Sequence, residues 1–254
     1  MKVRILGCGT SSGVPRIGND WGLCDPGDPR NRRRRVSILV EHGQDRVLVD
    51  TSPDMREQLL DAKVDRLSAV IWTHDHADHC HGIDDLRQLY HAAGAPILGY
   101  AREDTLATLR RRFDYIFEGG NGYPPIVDGR LLPDRFELGE LGLRIVDQPH
   151  GPITSAGIRF DAEGKSIVYS TDFNDLTDDM IALFEGVDLW IVDVLRRRPH
   201  PTHPHLDQAL DWIERVGPAR AILTHMDNSM DYRTLRDSLP GHVEPGYDRL
   251  EVVL

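Results

Sequence analysis

Within six residues the chain places three imidazoles and two carboxylates, His74-Asp75-His76-Ala77-Asp78-His79, preceded by Thr73. This turn follows the apolar run Ala69-Val70-Ile71-Trp72 and so stands where a buried strand should end. Such side chains cannot enter an apolar core unpaired, because each would cost roughly several kcal/mol of desolvation. Imidazole nitrogen and carboxylate oxygen are ligands that suit borderline divalent ions such as zinc, manganese and iron. The chemistry indicated is that of a metal centre.

Three more strand candidates end in a residue of the same kind. Ile145-Val146-Asp147-Gln148-Pro149 runs into His150, Ile167 to Thr171 into Asp172, and Ala221 to Thr224 into His225. Strand ends aligned along one edge of a sheet are the usual way to assemble a site from distant residues. A lone histidine at a strand end is ordinarily just a satisfied polar residue. Four coincident strand ends, one of them carrying His-x-His-x-Asp-His, shift the balance to metal binding. Five histidines and two carboxylates exceed what one four-coordinate ion needs, whereas two ions sharing one carboxylate would use all seven.

The elements that must position these residues follow from periodicity. Val3 to Leu6 is a short strand running into the glycine- and hydroxyl-rich loop Gly7-Cys8-Gly9-Thr10-Ser11-Ser12-Gly13. From there to Arg35 little periodicity is visible, which predicts a long surface loop, a feature more often functional than not. Residues 36–40 and 46–50 form a hairpin around His42-Gly43-Gln44. Thr51-Ser52-Pro53-Asp54 opens a helix through about Leu60, with serine as its cap and proline in its first turn. Further helices are expected over 83–92, 103–113, 177–184 and 231–239. Another is expected over 206–216, where Leu206, Ala209, Leu210, Ile213 and Val216 form a stripe. Strands are expected at 96–100, 143–146, 155–160, 166–169, 188–192, 219–223 and 250–254, and residues 114–135 read as an irregular insertion. The order strands, helices, strands, helices predicts a layered α/β or α+β sandwich rather than a doubly wound parallel sheet.

Composition sets outer bounds. The 254 residues are 40% hydrophobic and 28% charged, ordinary for a soluble globular protein. No stretch has the apolar length of a membrane span, and the first residues are too briefly apolar for a signal peptide. Cys8, Cys24 and Cys80 are few, odd in number and widely spaced, which argues against a disulfide framework and fits a reducing cytoplasm. The net charge of −11 argues against a large nucleic-acid footprint. Local patches can oppose that average: Arg32–Arg35 and Arg196–Arg198 could each bind a second phosphate, or simply be solvated.

The motif His74-x-His76-x-Asp78-His79, with His150, Asp172 and His225 in order behind it, resembles the metallo-β-lactamase superfamily of metal-dependent hydrolases. The resemblance covers nearly the whole chain and implies one αβ/βα four-layer sandwich domain over residues 1–254, with a dinuclear site along one edge. It implies that His74, His76 and His150 hold one ion, that Asp78, His79 and His225 hold the other, and that Asp172 bridges them. Asp75 matches no ligand position. Gly7-Cys8-Gly9-Thr10-Ser11-Ser12-Gly13-Val14-Pro15, Thr202-His203-Pro204-His205-Leu206, Leu223-Thr224-His225 and Glu244-Pro245-Gly246-Tyr247-Asp248 resemble the branch of cyclic-phosphate phosphodiesterases. The best-known member of that branch acts on 5-phosphoribosyl 1,2-cyclic phosphate in the carbon–phosphorus lyase pathway, and ribonuclease Z is a cousin. Members can carry a structural zinc on cysteines in the loop after the first strand. Here only Cys24 remains there, beside Asp25, so a third metal is not expected.

Two divalent ions about 3.5–4 Å apart can bridge a water and make it hydroxide near neutral pH. A phosphodiester also needs a group for its non-bridging or leaving oxygen. By resemblance His203 is the catalytic candidate for that proton, together with Asp78, and His203 and His205 are candidates for substrate binding. Asp50, after Val47-Leu48-Val49, could fix a ligand imidazole from behind or cap the next helix. Asp193, after Leu189 to Val192, is a weaker candidate of the same kind, and Cys80 is expected to be a buried inert thiol. The expected protein is a dinuclear zinc or manganese phosphodiesterase, with iron also compatible, acting on a small phosphorylated substrate without membrane or nucleic-acid partner. A homodimer is compatible. The alternatives are a lactone or thioester hydrolase and a transfer-RNA 3′-processing nuclease.

Overall fold

The computed structural model describes residues 1–120 and 122–254. Strands β1 (Lys2–Gly7), β2 (Ser37–His42), β3 (Asp45–Val49), β4 (Ala69–Ile71), β5 (Ile97–Ala101) and β6 (Val127–Leu131) join the last strand, β14 (Glu251–Val253), in one sheet ordered β14-β1-β2-β3-β4-β5-β6. A second sheet runs in chain order through β7 (Arg135–Leu138), β8 (Leu141–His150), β9 (Ile153–Ala162), β10 (Lys165–Ser170), β11 (Leu189–Asp193), β12 (Arg220–Thr224) and β13 (Val243–Pro245). Both sheets are mixed. The pairings from β14 to β3 are antiparallel and those from β3 to β6 parallel; likewise, β7 to β10 pair antiparallel and β10 to β13 parallel.

The near-continuous apolar runs of the central strands are explained by burial on both faces. Ile38, Val40, Val47, Val49, Ala69 and Ile71 point inward to the core shared with the second sheet, where they join Leu143, Ile158, Phe160 and Ile167. The alternate residues Leu39, Leu48, Val70 and Trp72 point outward. There they meet α1 (Met55–Ala62), α3 (Leu86–Ala93), α4 (Glu103–Arg112) and the short α5 (Asp114–Phe117), while α2 (Ala77–Cys80) is a single turn within the histidine motif. The period of two therefore sorts each strand between two cores. The far face of the second sheet is covered by α6 (Asp178–Phe184) and α7 (Leu206–Val216), and α8 (Tyr232–Ser238) lies against β13. The result is helix, sheet, sheet, helix, the αβ/βα sandwich that the resemblance implies.

Two expectations are corrected. The first helix begins at Met55, not at Ser52, and Asp54 makes no side-chain cap bond. The Asp54 carboxylate instead accepts from the Arg35 backbone N–H at 2.8 Å, while the Ser52 hydroxyl accepts from the Asp54 backbone N–H at 3.2 Å just before the helix and donates to Gln58 at 2.8 Å. The stretch 114–135 is also not wholly irregular, since it contains α5 and β6. Only Val127 of β6 is buried, so its sequence carries no clear alternation and its strand geometry comes from pairing with β5.

Candidate metal centre

The parallel strands deliver their C-terminal ends to one edge of the sandwich, and the chain turns sharply there. Asp50, Asp172 and His225, which follow β3, β10 and β12, all have left-handed backbone, with φ of 65°, 56° and 59°. For non-glycine residues this costs on the order of 1 kcal/mol each and persists only where the surroundings over-determine it. His74 comes after β4, and the one-turn α2 lifts Asp78 and His79 onto the same edge as His74.

The seven predicted residues converge in two groups that share Asp172. His74, His76, His150 and Asp172 form one, their donor atoms all within 4.8 Å of one another. In it the His150 Nε2 lies 3.4 Å from His76 Nδ1, and Asp172 Oδ1 lies 3.7 Å from His74 Nε2 and 3.6 Å from His150 Nε2. The second contains Asp78, His79 and His225, whose Nε2 atoms both stand 3.5 Å from Asp78 Oδ2. Asp172 faces this group with its other oxygen: Oδ2 is 3.1 Å from His79 Nε2 and 3.6 Å from His225 Nε2. One carboxylate thus offers one oxygen to each group.

Groups behind the rings set which nitrogen faces the centre. His79 Nδ1 is 2.6 Å from Asp50 Oδ2, and His150 Nδ1 is 2.9 Å from the Thr202 carbonyl, an acceptor only, so Nδ1 carries the hydrogen and Nε2 turns a lone pair inward. Asp50 is itself held by the Thr73 backbone N–H at 2.8 Å and the Thr73 hydroxyl at 2.9 Å. Asp50 therefore stands behind the His79 imidazole and does not cap the helix. Asp172 is fixed through its backbone, whose N–H donates to Asp193 Oδ2 at 2.9 Å and whose carbonyl accepts from Ser155 at 2.7 Å. The same Asp193 oxygen lies 2.8 Å from His203 Nδ1, and the His203 ring stacks on His225 with centroids 4.8 Å apart.

Electrostatically the cluster is short of positive charge. Burial alone would raise Asp78 and Asp172, yet His79 holds Asp78, and His225 with His79 holds Asp172, below the usual carboxylate range. Burial likewise pulls His79 and His225 down, but the surrounding carboxylates, led by Asp172, outweigh it. They push His79 well up and His225 up to about 9. His74 moves the other way, driven down by burial and then by the charge on His79. The buried carboxylates thus favour positive charge at the rings they face, charge that a divalent cation would supply. The buried Nε2 atoms of His74 and His79 have no hydrogen-bond partner, although both face Asp172. Donors aimed at one another without bonding, with hydrogens held on the far side, fit divalent cations.

Other sequence candidates fall elsewhere. His205 sits at the N-cap position of α7 without a side-chain cap bond and outside both groups. Asp75 pairs with Arg112 at 3.2 Å, and the buried Cys80 is pushed up to about 12 by its burial. In the loop after β1, Cys24 is buried with the Arg33 guanidinium 3.8 Å from its sulfur, a cation already in place where a structural metal would need thiolates. Asp193, weakly placed by sequence, proves to be a hub. Thr202 was not anticipated as a carbonyl partner, since nothing in a sequence reports where a backbone oxygen points. Thr73 could have been found as the hydroxyl adjoining the motif.

Comparison with known proteins identifies the family and the fold. A model of the beta-lactamase superfamily domain matches residues 45–226. A curated octanoyltransferase of Porphyromonas gingivalis is 33% identical over 263 aligned positions, which take in all of this chain but only 52% of the relative. The chain thus spans about half the length of that protein. The crystal structure of a new diphosphatase from the PhnP family superposes with a TM-score of 0.91 at 34% identity, covering 99% of this chain and 96% of the other. Zinc-bound PqqB from Methylobacterium extorquens superposes with a TM-score of 0.78 at 19% identity over the full length of both chains, a likeness of fold. Among the described residues, no helix is long and apolar enough to cross a membrane.

Proposed function

The chain belongs to the metallo-β-lactamase superfamily, in its PhnP-related part; from that premise we propose that it is a metal-dependent hydrolase, a dinuclear phosphodiesterase acting on a small cyclic phosphodiester such as 5-phosphoribosyl 1,2-cyclic phosphate. The observation that carries this reading is the division of Asp172 between two ligand groups, with His203 held beside them. His74, His76, His150 and Asp172 Oδ1 would hold one ion, and Asp78, His79, His225 and Asp172 Oδ2 the other. When bound, zinc or manganese, or iron, would supply Lewis acidity toward a phosphoryl oxygen and lower the pKa of water.

The rest of the reaction falls to side chains of this protein. With Nδ1 donating to Asp193, His203 presents Nε2 toward the centre, 3.8 Å from Asp172 Oδ1. From there it can donate to a phosphoryl oxygen or return a proton to the departing alkoxide. Asp193 holds the ring in place through Nδ1. Because Asp193 also holds the Asp172 backbone, the proton donor and the shared ligand keep a fixed spacing, the positional precision on which such catalysis depends.

A second reading, cleavage of a diphosphate linkage, draws on the diphosphatase of 34% identity and would use the same groups. The test is turnover of bis(p-nitrophenyl) phosphate, the cyclic ester and a nucleoside diphosphate ester against a panel of lactones and thioesters, with metal analysis of the purified protein. Turnover of phosphate esters with about two metals per chain is expected. Turnover of lactones or thioesters alone would remove the phosphodiester reading, and a mobility shift with precursor transfer RNA at physiological salt would favour the nuclease.

A further inference from the structure

We propose that Gln148 and Asn174 are positioning residues that set the spacing between His150 and Asp172, and with it the affinity of the first metal group. The proposal rests on the two-ion reading and adds to it what holds one of the two ligand groups together.

His150 and Asp172 follow strands that do not pair, because β9 lies between β8 and β10. Neighbouring strands stand about 4.8 Å apart, so β8 and β10 are separated by roughly 10 Å. Yet His150 Nε2 and Asp172 Oδ1 come within 3.6 Å. The pairing of β8 with β9 ends at His150 and Ile153, and that of β10 with β9 ends at Tyr169 and Ile158. Backbone ladders therefore do not fix the distance between these two ligands. Side chains do.

The first link is Gln148, two residues before His150 and fully buried. Its Nε2 donates to the Ser155 hydroxyl at 2.9 Å and to the Thr171 carbonyl at 3.2 Å, while its Oε1 accepts from the Ser170 hydroxyl. The Thr171 carbonyl can only accept, which fixes the orientation of the amide. Ser155 passes the link on, donating to the Asp172 carbonyl at 2.7 Å. One side chain thus reaches across β9 from the His150 strand to the Asp172 strand. Gly157 leaves the room for it, since a Cβ there would lie 2.6 Å from Gln148 Oε1 and 3.0 Å from the Phe184 ring. A buried amide is costly unless its donors and acceptor are met, whereas an apolar side chain would fill the same space freely. What the amide adds is the connection.

The second link is the half-buried Asn174, two residues after Asp172. Its backbone N–H donates to the Pro149 carbonyl at 2.9 Å, and its Oδ1 accepts from the Gly151 N–H at 2.9 Å. Both chain neighbours of His150 are therefore held by one residue. Gly151 has φ of 59°, and a Cβ there would meet the Thr202 methyl at 2.8 Å, so the turn is also closed from the side where the Thr202 carbonyl holds the His150 ring. Asp172 keeps its own anchor in Asp193, so loosening either link frees His150 relative to it. Among the described residues, neither Gln148 nor Asn174 bonds to Asp78, His79 or His225. The effect should stay within the first group.

The experiment titrates the metal-free, full-length protein with zinc against a chromogenic chelator. In Asn174→Ala one ion should bind about tenfold more weakly than in the wild type, with the other unchanged. Asn174→Asp keeps an acceptor for the Gly151 N–H and should stay within about threefold of the wild type. Gln148→Met, of similar volume, should weaken the same ion at least as much as Asn174→Ala, and the Asn174 variants decide alone should it not fold. In His76→Ala, which lacks a donor of the first group only, adding Asn174→Ala should leave the remaining ion unaffected. Equal weakening of both ions, or an Asn174→Asp protein as weak as Asn174→Ala, would overturn the positioning role while leaving the two-ion reading intact. A wild type that takes up no second ion would instead end that reading, and the proposal with it.

Discussion

In both sheets the strand that ends the antiparallel pairings and begins the parallel ones, β3 in the first and β10 in the second, is followed within two residues by a buried aspartate with left-handed backbone. In the first half this is Asp50, in the second Asp172. The backbone solution is the same, but the carboxylates do different work. Asp50 stands behind His79 and is saturated by Thr73 hydrogen bonds, whereas Asp172 faces the centre with both oxygens. The next strand repeats the contrast: β4 leads into a turn packed with donors, and β11 ends in Asp193, which holds a donor from behind. Each half thus contributes an orienting carboxylate and metal-capable donors. The first crowds four of its donors into one turn, and the second spreads three over three strand ends.

If the halves differ as described, removing the two aspartates should not be equivalent. Asp172→Ala should lower kcat/KM about 1,000-fold or more and reduce metal content, because both groups lose a donor. Asp50→Ala should cost less and act through the His79 side alone. Metal analysis and steady-state kinetics on the two variants decide it. A larger loss for Asp50→Ala would reverse the roles assigned to the halves.

The seam between the halves can be broken separately from the site. Arg33 lies in the first-half loop, is 2% exposed, and binds carbonyls of the 227–230 turn that follows His225. Among the described residues its guanidinium forms no ion pair within 4 Å; its partners are the Asp227 and Met230 carbonyls, the Asn31 amide oxygen and the Cys24 sulfur. Arg33→Ala should cost about 3 kcal/mol of unfolding stability in urea titrations, since it leaves buried carbonyls without donors and a void behind. A change below about 0.5 kcal/mol would mean that the loop is not fastened through this residue.

A milder pair of changes sharpens the contrast. Asp50→Asn and Asp193→Asn keep shape and remove charge behind a ring. Each should lower activity about 10–100-fold. In Asp50→Asn the loss should appear as weakened metal affinity. In Asp193→Asn kcat should fall more than metal content, because the closest ring is that of His203 at 2.8 Å, whereas His225 lies 3.7 Å away and an asparagine oxygen can still accept from the Asp172 N–H. Identical metal-affinity losses in both would show that His203 is not the proton-handling group.

The difference between the halves also explains what could be read from sequence. The seven metal-capable residues were legible because each follows a strand whose apolar run is visible, and because four of them crowd one turn. The layer order was legible from the sequence of elements. Asp50 and Asp193 were visible as types, but their roles were not, since both follow strands and either could cap a helix. Only the fold brings Asp193 to His203, ten residues on, and Thr202 to His150 across 52 positions. β6 and β13 were missed for a related reason: one is largely exposed and the other only three residues long, so partners in the sheet decide their geometry.

The smallest effect expected lies at the same seam, at Asp231, the N-cap of α8. Its carboxylate accepts from its own helix, through Thr234 N–H at 2.9 Å, and from the first-half loop, through Asp25 N–H at 3.1 Å and the Asn31 amide at 2.8 Å. Burial pushes this acid up, but the Thr234 and Asp25 N–H groups outweigh it and hold it at about 2, below the ordinary 3.8. The folded state therefore favours the ionised form. The stability it adds is complete above about pH 4 and is lost as pH falls through about 2. Partial exposure screens the interaction, so Asp231→Ala should cost about 1 kcal/mol at pH 7, in line with a lost helix cap. Urea titrations at pH 7 and at pH 3 should show the wild-type advantage over Asp231→Ala shrinking at the lower value. An advantage that stays constant or grows would mean that the carboxylate charge does not fasten α8 to the loop.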